Sequence, residues 1–371
     1  MATRAQIDAL KGLVGKTIVS ESHLCTTALS RLNNCIPGWS TAAPGEEVRT
    51  AAGGGGAAAA GGGAGSLGSA AAAGRGEAAG EPIRSTAHWL FHTEADLLNL
   101  DGAATAGATA TGPDGNPELV PGYRRMWAGG AFDLRLPLLA GDVRPAVKEQ
   151  TIVSVTEKRS RTYGPVLFLK RRCRLGRALG HGHGGGGGGG NATGMELCLE
   201  EELDHVYMVN NGYRPPAAET ELPFPGITAN SGAGGGVGGV GGVGEPAGVW
   251  REAYEMDAVS LFRYSALTWN SHRVHYDPAY STQVEKYPGL VVHGPLLCTL
   301  LLDMYQRRAG RQSGFRFEYR AVRPLFVGET AHIWGRRCGV PGDAREAELF
   351  ATNDEGHVCM QASVTLHGQP A

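Results

Sequence analysis

The sequence predicts an α+β fold made of two similar halves. Apolar residues alternate in a strand-like manner within 126–209 and again within 315–366. A helix that is apolar around most of its circumference, and is therefore buried, is predicted over 294–309. The pattern Pro-Leu-x-x-Gly-acid occurs at 137–142 and at 324–329, each time between two predicted strands. This repeat indicates either a duplicated domain or a coincidence in a common hairpin pattern.

The first half combines mixed and strand-forming segments. Residues 5–36 have an apolar periodicity that predicts one or two helical or mixed segments. Alternating or continuous apolar residues then predict strands at four places, 132–136, 143–155, 166–169 and 195–209.

The second half begins at 254–267 with a stretch that predicts a strand running into a turn. Pro295 suits the first turn of the helix that follows, because the first N–H groups of a helix have no partner within it. Beyond Gly310, alternation predicts four more strands, at 315–323, 330–337, 346–351 and 358–366.

Glycine marks the expected domain boundaries. It accounts for 58 of 371 residues, more than twice the usual share of about 7%, and is concentrated in tracts with alanine. Such tracts bury too little apolar surface to offset the entropy of ordering them. We therefore predict an N-terminal domain over 1–225 with disordered insertions at about 42–80 and 181–194, a linker over 226–248, and a C-terminal domain over 249–371.

The linker contains a formal match to the dinucleotide-binding fingerprint, Gly234-x-Gly236-x-x-Gly239. That fingerprint needs a strand before it and a helix after it, so that the helix amides bind a pyrophosphate. Prolines and polar residues precede this match, and Glu245-Pro246 follows it. We therefore expect no dinucleotide site here.

Charge and hydropathy narrow the class of partner. The formal net charge is −2 and only two short basic clusters occur, at 158–161 and 170–174. We therefore expect no nucleic-acid partner, and interpret the clusters as solvated strand faces, with contact to an anionic carrier as the alternative. The longest apolar stretch, 290–305, is too short and polar to span a bilayer, so no membrane partner is expected.

Seven cysteines without paired spacing indicate buried thiols in a reducing compartment.

Polar side chains suited to catalysis are concentrated in 264–277 and at His293-Gly294-Pro295, where the buried helix begins. A buried helix N-terminus presents unbonded amides and the positive end of the helix dipole, which suits an oxygen that gains charge during a reaction. A nearby imidazole moves protons at neutral pH. This combination predicts an acid–base site at the start of the helix.

Two segments carry a resemblance to a known family. The pattern Thr-x-Asn-x-His-Arg-x-His-Tyr-Asp at 268–277, followed by Tyr-Pro-Gly-Leu-Val-Val-His-Gly-Pro at 287–295, resembles the MaoC-like hot-dog hydratases and dehydratases. The most similar branch contains hydroxyacyl-thioester dehydratases of type 2 and mesaconyl-C4-CoA (3-methylfumaryl-CoA) hydratases. In the first half, 88–91 and 124–130 are similar to the same branch.

The resemblance implies a double hot-dog fold, in which each half is an antiparallel sheet wrapped around a central helix. It also implies reversible elimination of water from a 3-hydroxyacyl thioester, with the catalytic residues in the C-terminal half. The general hydratase motif has an aspartate five residues before the catalytic histidine, and Asn270 stands at that position here. An amide donates to a water molecule but does not accept its proton as a carboxylate would.

The resemblance also implies roles for individual residues. His275 would move the proton, Asn270 would hold the water or the leaving hydroxyl, and the Gly294 amide would stabilise the thioester oxygen. Substrate contacts are expected from three further residues: Tyr264, Arg273 and His293. In a purely structural role, His293 would instead pack at the start of the helix and Arg273 would form a surface ion pair. No metal and no cofactor are expected.

Three rival functions compete with the dehydratase. A metal site would use four side chains: His272, His275, Asp277 and His293. However, His-x-x-His outside a helix is not an established ligand spacing. Since fold does not fix function, the same fold would also suit a hot-dog acyl thioesterase or a non-catalytic acyl-binding protein.

The sequence leaves the substrate open in two respects. The carrier to which the acyl group is joined as a thioester is either acyl-carrier protein or coenzyme A. The acyl group is either a straight-chain 3-hydroxyacyl group or a mesaconyl group. Long homopolymeric insertions favour a eukaryotic gene and hence a mitochondrial enzyme of fatty acid biosynthesis, with a cytoplasmic location as the alternative. The resemblance also allows a homodimer.

Overall fold

A computed structural model describes the following residues: 7–8, 11–22, 31, 35, 88–89, 123–139, 142, 144–160, 163–179, 194–209, 211–214, 248–310, 313–338 and 345–367. The predicted insertion at 42–80, the predicted insertion at 181–194 except its last residue, and the predicted linker except its last residue lie outside them. Within the described part of the chain, no helix is both long and apolar enough to cross a membrane.

Within these described ranges, ten strands form one continuous antiparallel sheet. In chain order they are β1 (Thr17–Ser22), β2 (Tyr123–Leu134), β3 (Ala146–Ser160), β4 (Gly164–Ala178), β5 (Met195–Val209), β6 (Val249–Glu255), β7 (Phe315–Ala321), β8 (Thr330–Arg337), β9 (Arg345–Thr352) and β10 (Val358–Leu366). Their order across the sheet is β1-β3-β4-β5-β2-β7-β10-β9-β8-β6. The mixed segment predicted over 5–36 contains β1, and β2 starts nine residues before the predicted strand at 132.

The two halves of the sheet have the same topology. Counted within each half, the order from the outer edge inwards is first, third, fourth, fifth and second strand. The two second strands, β2 and β7, pair antiparallel at the centre, with Phe132 opposite Phe317. Each half therefore has the strand arrangement of one hot dog, and the predicted double hot-dog fold is confirmed. The division into domains at 225 and 249 stays a prediction.

This topology also explains the Pro-Leu-x-x-Gly-acid repeat. Both copies follow the second strand of their half and lead to the third. β2 pairs with β5 and β7 rather than with β3, so the repeated segment joins strands that are not hydrogen-bonded to each other. It is therefore not a hairpin turn, and its equivalent position in both halves supports duplication.

A helix replaces the strand and turn that the sequence predicted at 254–267. β6 ends at Glu255, and helix α1 spans Ala258–Leu267. Asp257 caps it, since its side chain accepts a hydrogen bond from the Ser260 backbone N–H at 2.6 Å. The buried residues Leu261, Tyr264 and Ser265 are spaced three and four apart, as on one face of a helix. The prediction was wrong because this helix is short and the preceding strand residues extend its apolar pattern.

Helix α2 spans Gly294–Ala309, as predicted. It packs on β8, β9 and β10 of the second half, and its residues from Leu296 to Gln306 are all buried. Each fully buried leucine contributes about 1.5–3 kcal/mol of hydrophobic free energy. The helix ends at Gly310, whose φ of 67° lies in the left-handed region that glycine adopts without strain. α2 is thus the central helix of the C-terminal hot dog.

Candidate active site

A cavity of about 610 Å³ is lined by residues of both halves. The second half contributes the segment after α1 and the start of α2, including Asn270, His275 and Gly294. The first half contributes residues of β2 to β5, including Trp127 and Arg171. The three residues predicted to be catalytic therefore line the same cavity.

His275 is held in a defined orientation and tautomer. It ends a short 3₁₀ turn, Arg273–His275, and is 8% exposed. Its Nδ1 lies 2.7 Å from the backbone oxygen of Val291. A carbonyl oxygen only accepts hydrogen bonds, so Nδ1 carries the proton and Nε2 has the free lone pair. The imidazole is thus prepared to act as a base through Nε2.

Burial lowers the pKa of His275 from the ordinary histidine value of 6.5 to about 4. The hydrogen bond to Val291 opposes this shift, and the positive charge of Arg125 adds to it. The ring is therefore neutral at physiological pH. A neutral imidazole is the form that accepts a proton from water.

This pKa predicts the acid side of the pH–rate profile. A free-enzyme base with a pKa of about 4 stays deprotonated as the pH falls from 7 to about 5. We expect kcat/KM to be constant over that interval and to fall only near pH 4, with unfolding followed in parallel by circular dichroism. An inflection near the ordinary histidine pKa of about 6.5 in folded enzyme would contradict this environment for His275.

His293 lies behind His275 rather than on the cavity wall. The two rings stack with centroids 3.7 Å apart and an angle of 18° between their planes. His293 is fully buried, and its Nε2 lies 2.8 Å from the hydroxyl oxygen of Ser265 on α1. Burial lowers its pKa well below the usual value, and the neighbouring His275 adds to the effect. His293 therefore fixes the position of His275, which corresponds to packing at the helix start rather than to the expected substrate contact.

Asn270 is fixed by a local turn. Its Oδ1 accepts a hydrogen bond from the His272 backbone N–H at 3.1 Å. The preceding Trp269 has a φ of 54° and is 68% exposed, so the chain bends sharply just before the asparagine. With Oδ1 engaged, the amide NH₂ of Asn270 remains to donate to a water or hydroxyl oxygen.

His272, which the sequence analysis considered only as a metal ligand, also lines the cavity. Its ring meets that of His275 edge-on, with centroids 5.5 Å apart. Burial lowers its pKa well below the usual value, and His275 and Arg125 contribute. Its place in the Asn-x-His-x-x-His pattern was the available signal, because the bend at Trp269 turns this segment toward the cavity.

Gly294 begins α2, with His293 as the preceding N-cap residue. Pro295 follows and has no N–H, so the Gly294 amide is the first donor of the helix at the cavity. A Cβ at this position would overlap the indole ring of Trp127 from the first half. Only glycine allows this close approach, and Gly294 lines the cavity at the positive end of the helix dipole.

Tyr264 and Arg273 have different surroundings. Tyr264 lines the cavity and packs edge-on against His293, with ring centroids 5.0 Å apart. Burial raises its pKa, so its hydroxyl stays protonated.

Arg273 is not part of the cavity lining. Its Nε lies 3.0 Å from Asp277 Oδ2, and its guanidinium stands 4.7 Å above the ring of Tyr280, so it forms the surface ion pair rather than the expected substrate contact.

The first half adds a buried carboxylate that the sequence-based prediction missed. Glu201 on β5 is 1% exposed and accepts hydrogen bonds from Trp89 Nε1 at 3.0 Å and from the Tyr319 hydroxyl at 3.1 Å. His88 Nε2 lies 3.2 Å from its second oxygen. Although desolvation would raise its pKa, the electrostatic effect of His88 and the hydrogen bonds with His88 and Trp89 lower the pKa overall. The signal was the alternation of Leu199, Glu201 and Leu203, which places the glutamate on an inward-facing position.

The four donors considered for a metal site do not converge on one point. Asp277 pairs with Arg273, His293 meets Ser265, and the protonated Nδ1 of His275 is bound to Val291. In the described part of the chain, no cluster of three or more candidate metal ligands is found.

Comparison with known proteins identifies the family. A solved MaoC-like dehydratase superimposes with a TM-score of 0.57 at 11% identity, covering 97% of this chain and 100% of that one. Over 263 residues the sequence is 30% identical to mesaconyl-C(4)-CoA hydratase of Chloroflexus aurantiacus, which covers 69% of this chain and 77% of that protein. The chain belongs to the MaoC-like hydratase/dehydratase family.

Two further matches agree with this membership. The sequence model described as hydroxyacyl-thioester dehydratase type 2 matches residues 242–327, which contain Asn270, His275 and Gly294. The mitochondrial hydroxyacyl-thioester dehydratase type 2 of Schizosaccharomyces pombe is 38% identical over 86 residues, 20% of this chain and 29% of that protein. This member of the MaoC-like family is a hydro-lyase, an enzyme that adds or removes water.

Proposed function

We propose that this hydro-lyase acts on acyl thioesters, interconverting 3-hydroxyacyl and α,β-enoyl forms. The observation that carries the proposal is the neutral imidazole of His275 in the same cavity as the Gly294 amide. The names of the two relatives, a mesaconyl-CoA hydratase and a hydroxyacyl-thioester dehydratase, support thioesters as the substrate class.

The proposed mechanism needs one acid–base group. In hydration, the Asn270 amide donates a hydrogen bond to the attacking water, and His275 Nε2 takes a proton from it as its oxygen bonds to Cβ. The thioester oxygen becomes enolate-like and accepts a hydrogen bond from the Gly294 amide. The imidazolium then returns the same proton to Cα, and dehydration follows the reverse path. Atoms and charge balance without the aspartate that Asn270 replaces.

Two physiological roles fit this chemistry. The first is the dehydration of 3-hydroxyacyl-acyl-carrier-protein in mitochondrial fatty acid biosynthesis, supported by the short match to the mitochondrial yeast enzyme. The second is hydration of mesaconyl-C4-CoA, supported by the longer match to the Chloroflexus enzyme. The acyl group is carried by acyl-carrier protein in the first role and by coenzyme A in the second.

The proposal is tested by incubating the purified full-length protein with crotonyl and mesaconyl thioesters, each on coenzyme A and on acyl-carrier protein. We expect loss of the enoyl-thioester absorbance and formation of the hydroxyacyl product, without release of free thiol. Thiol release at a comparable rate would instead indicate a thioesterase. Binding without turnover of any of these substrates would indicate an acyl-binding protein.

A further inference from the structure

One carboxylate oxygen of the first half holds two aromatic side chains. Oε1 of Glu201 accepts hydrogen bonds from Trp89 Nε1 at 3.0 Å and from the Tyr319 hydroxyl at 3.1 Å. Trp89 precedes β2 in the first half, whereas Tyr319 lies on β7 of the second half. Burial raises the pKa of Tyr319, and the Glu201 carboxylate adds to this shift, so the hydroxyl stays protonated and donates. Glu201 therefore links the two halves at the cavity wall.

The two rings that Glu201 holds both contact a third ring, that of Trp127. The indole of Trp127 stacks on the ring of Tyr319, with centroids 4.7 Å apart and an angle of 21° between the planes. Trp89 meets Trp127 edge-on, with centroids 6.2 Å apart and an angle of 86°. Trp89 also meets Tyr319 edge-on, at 6.3 Å. Each ring of this cluster thus contacts the other two, and Glu201 fixes two of the three.

The backbone of β2 is shaped to admit the aromatic cluster. The register of β2 against β5 shifts between Trp127 and Gly129, an irregularity that redirects side chains and is frequent beside active sites. A Cβ at Gly130 would lie 2.7 Å from the Tyr319 hydroxyl oxygen, and a Cβ at Gly129 would lie 2.6 Å from the Tyr319 backbone oxygen. Glycine weakens the interior of a strand, and here two of them make room for Tyr319.

Trp127 in turn limits the position of the start of α2. Its ring lines the cavity, and a Cβ at Gly294 would overlap it, so the indole packs against the residue whose amide is the proposed oxyanion donor. A buried carboxylate is not needed for stability here, because apolar replacements of buried charged groups are often neutral or stabilising. A satisfied polar network instead specifies one arrangement of the core. The gain from Glu201 is therefore a fixed geometry of these rings.

We propose that Glu201 and Tyr319 are positioning residues for the oxyanion donor of the reaction, the Gly294 amide. Acting through the ring of Trp127, they hold this amide where it reaches the thioester oxygen. The inference rests on the proposed function. The bond from an oxyanion donor strengthens as charge develops in the transition state, so a displaced donor lowers kcat and leaves substrate binding nearly unchanged.

The test removes single polar groups from the full-length enzyme and measures kcat, KM and thermal stability with the enoyl thioester that the wild type hydrates fastest. Tyr319→Phe deletes only the hydroxyl and keeps the ring that stacks on Trp127. Tyr254→Phe is the matched control. Tyr254 is 6% exposed, donates its hydroxyl hydrogen bond to Glu252 at 2.8 Å, and is not part of the cavity lining.

We expect Tyr319→Phe to lower kcat about tenfold and Glu201→Leu to lower it about a hundredfold, the effect of misplacing a catalytic group by about 1 Å. KM should change less than about threefold in both variants. Glu201→Gln should recover most of the kcat lost in Glu201→Leu, because an amide oxygen still accepts both hydrogen bonds. Tyr254→Phe should lose as much thermal stability as Tyr319→Phe, with kcat within about twofold of the wild type.

A double-mutant cycle with Gly294→Ala tests whether the effect passes through this amide. In Gly294→Ala enzyme the donor is already displaced, so adding Tyr319→Phe should lower kcat less than about twofold. A full tenfold further loss would show that Tyr319 acts independently of the donor and would overturn the inference.

Two other results also overturn it. Unchanged kcat in folded Tyr319→Phe enzyme would show that the network does not serve catalysis, and a rise in KM without a fall in kcat would show a role in substrate binding. In all these cases the wild type still hydrates enoyl thioesters and the proposed function stands. Absence of wild-type turnover on every thioester would instead refute the proposed function, and this inference with it.

Discussion

Replacing His275 with alanine is expected to lower the rate of enoyl-thioester hydration by at least about a hundredfold, the contribution of a general acid–base group. Asn270 stands where the general hydratase motif that this sequence resembles has an aspartate, and His293 is buried behind the ring of His275. His275 Nε2 is thus the proton acceptor of the proposed mechanism. His275→Gln is expected to fail equally, since an amide can bond to the Val291 oxygen but takes up no proton.

The fold should survive these substitutions. The lost hydrogen bond to Val291 is worth about 0.5–1.5 kcal/mol, which is small compared with the buried core around α2. His367→Ala serves as the control, because His367 pairs with Asp133 at the rim of the sheet and is not part of the cavity lining. Near-normal turnover by folded His275→Ala enzyme would exclude His275 as the catalytic base.

Gly294→Ala is expected to lower kcat by about 10²–10³-fold, the effect of losing an oxyanion donor. The added Cβ would overlap the indole ring of Trp127, so either the ring or the first turn of α2 must shift. The ring of Trp127 is stacked on the ring of Tyr319 with the ring centroids 4.7 Å apart, and the Tyr319 hydroxyl donates a hydrogen bond to Glu201. The ring therefore has little room, and a displacement of the amide by about 1 Å is enough to impair catalysis.

Gly289→Ala is the matched control for this prediction. Gly289 precedes the same helix by five residues, and a Cβ there would meet no atom within 4 Å. We expect it to change kcat less than about twofold, because neither the amide at the helix start nor its surroundings are altered. Gly294→Ala enzyme with wild-type kcat and thermal stability would show that the helix start does not stabilise the thioester oxygen.

The sequence predicted those parts of the fold that depend on uniform local patterns. α2, β5, β8 and β10 have the predicted bounds, 294–309, 195–209, 330–337 and 358–366, because each has an apolar pattern typical of one kind of element along its length. α1 has ten residues, and its start depends on the side chain of one residue, Asp257. The double hot dog was accessible only through family resemblance, since no local pattern specifies that β2 pairs with β7.

The site was predictable as a set of residues but not as an arrangement. Asn270, His275 and Gly294 were found because they lie in two short patterns within one stretch of chain. That His293 lies behind His275 depends on Ser265, which is 28 residues away. Glu201 receives its hydrogen bond from Tyr319 across 118 residues. Contacts at such separations follow from the sheet order, which single-sequence patterns do not contain.

The central claim is that a thioester carbonyl binds between the His275 imidazole and the Gly294 amide. The most direct measurement is a crystal structure of the enzyme with a bound amide analogue of the hydroxyacyl thioester, in which N–H replaces the thioester sulfur and the carbonyl group is kept. We predict the carbonyl oxygen within about 3.1 Å of the Gly294 nitrogen, and the β-hydroxyl within hydrogen-bond distance of both His275 Nε2 and Asn270. An analogue bound with its carbonyl away from the start of α2, or with His275 out of reach of its reacting carbons, would contradict this claim.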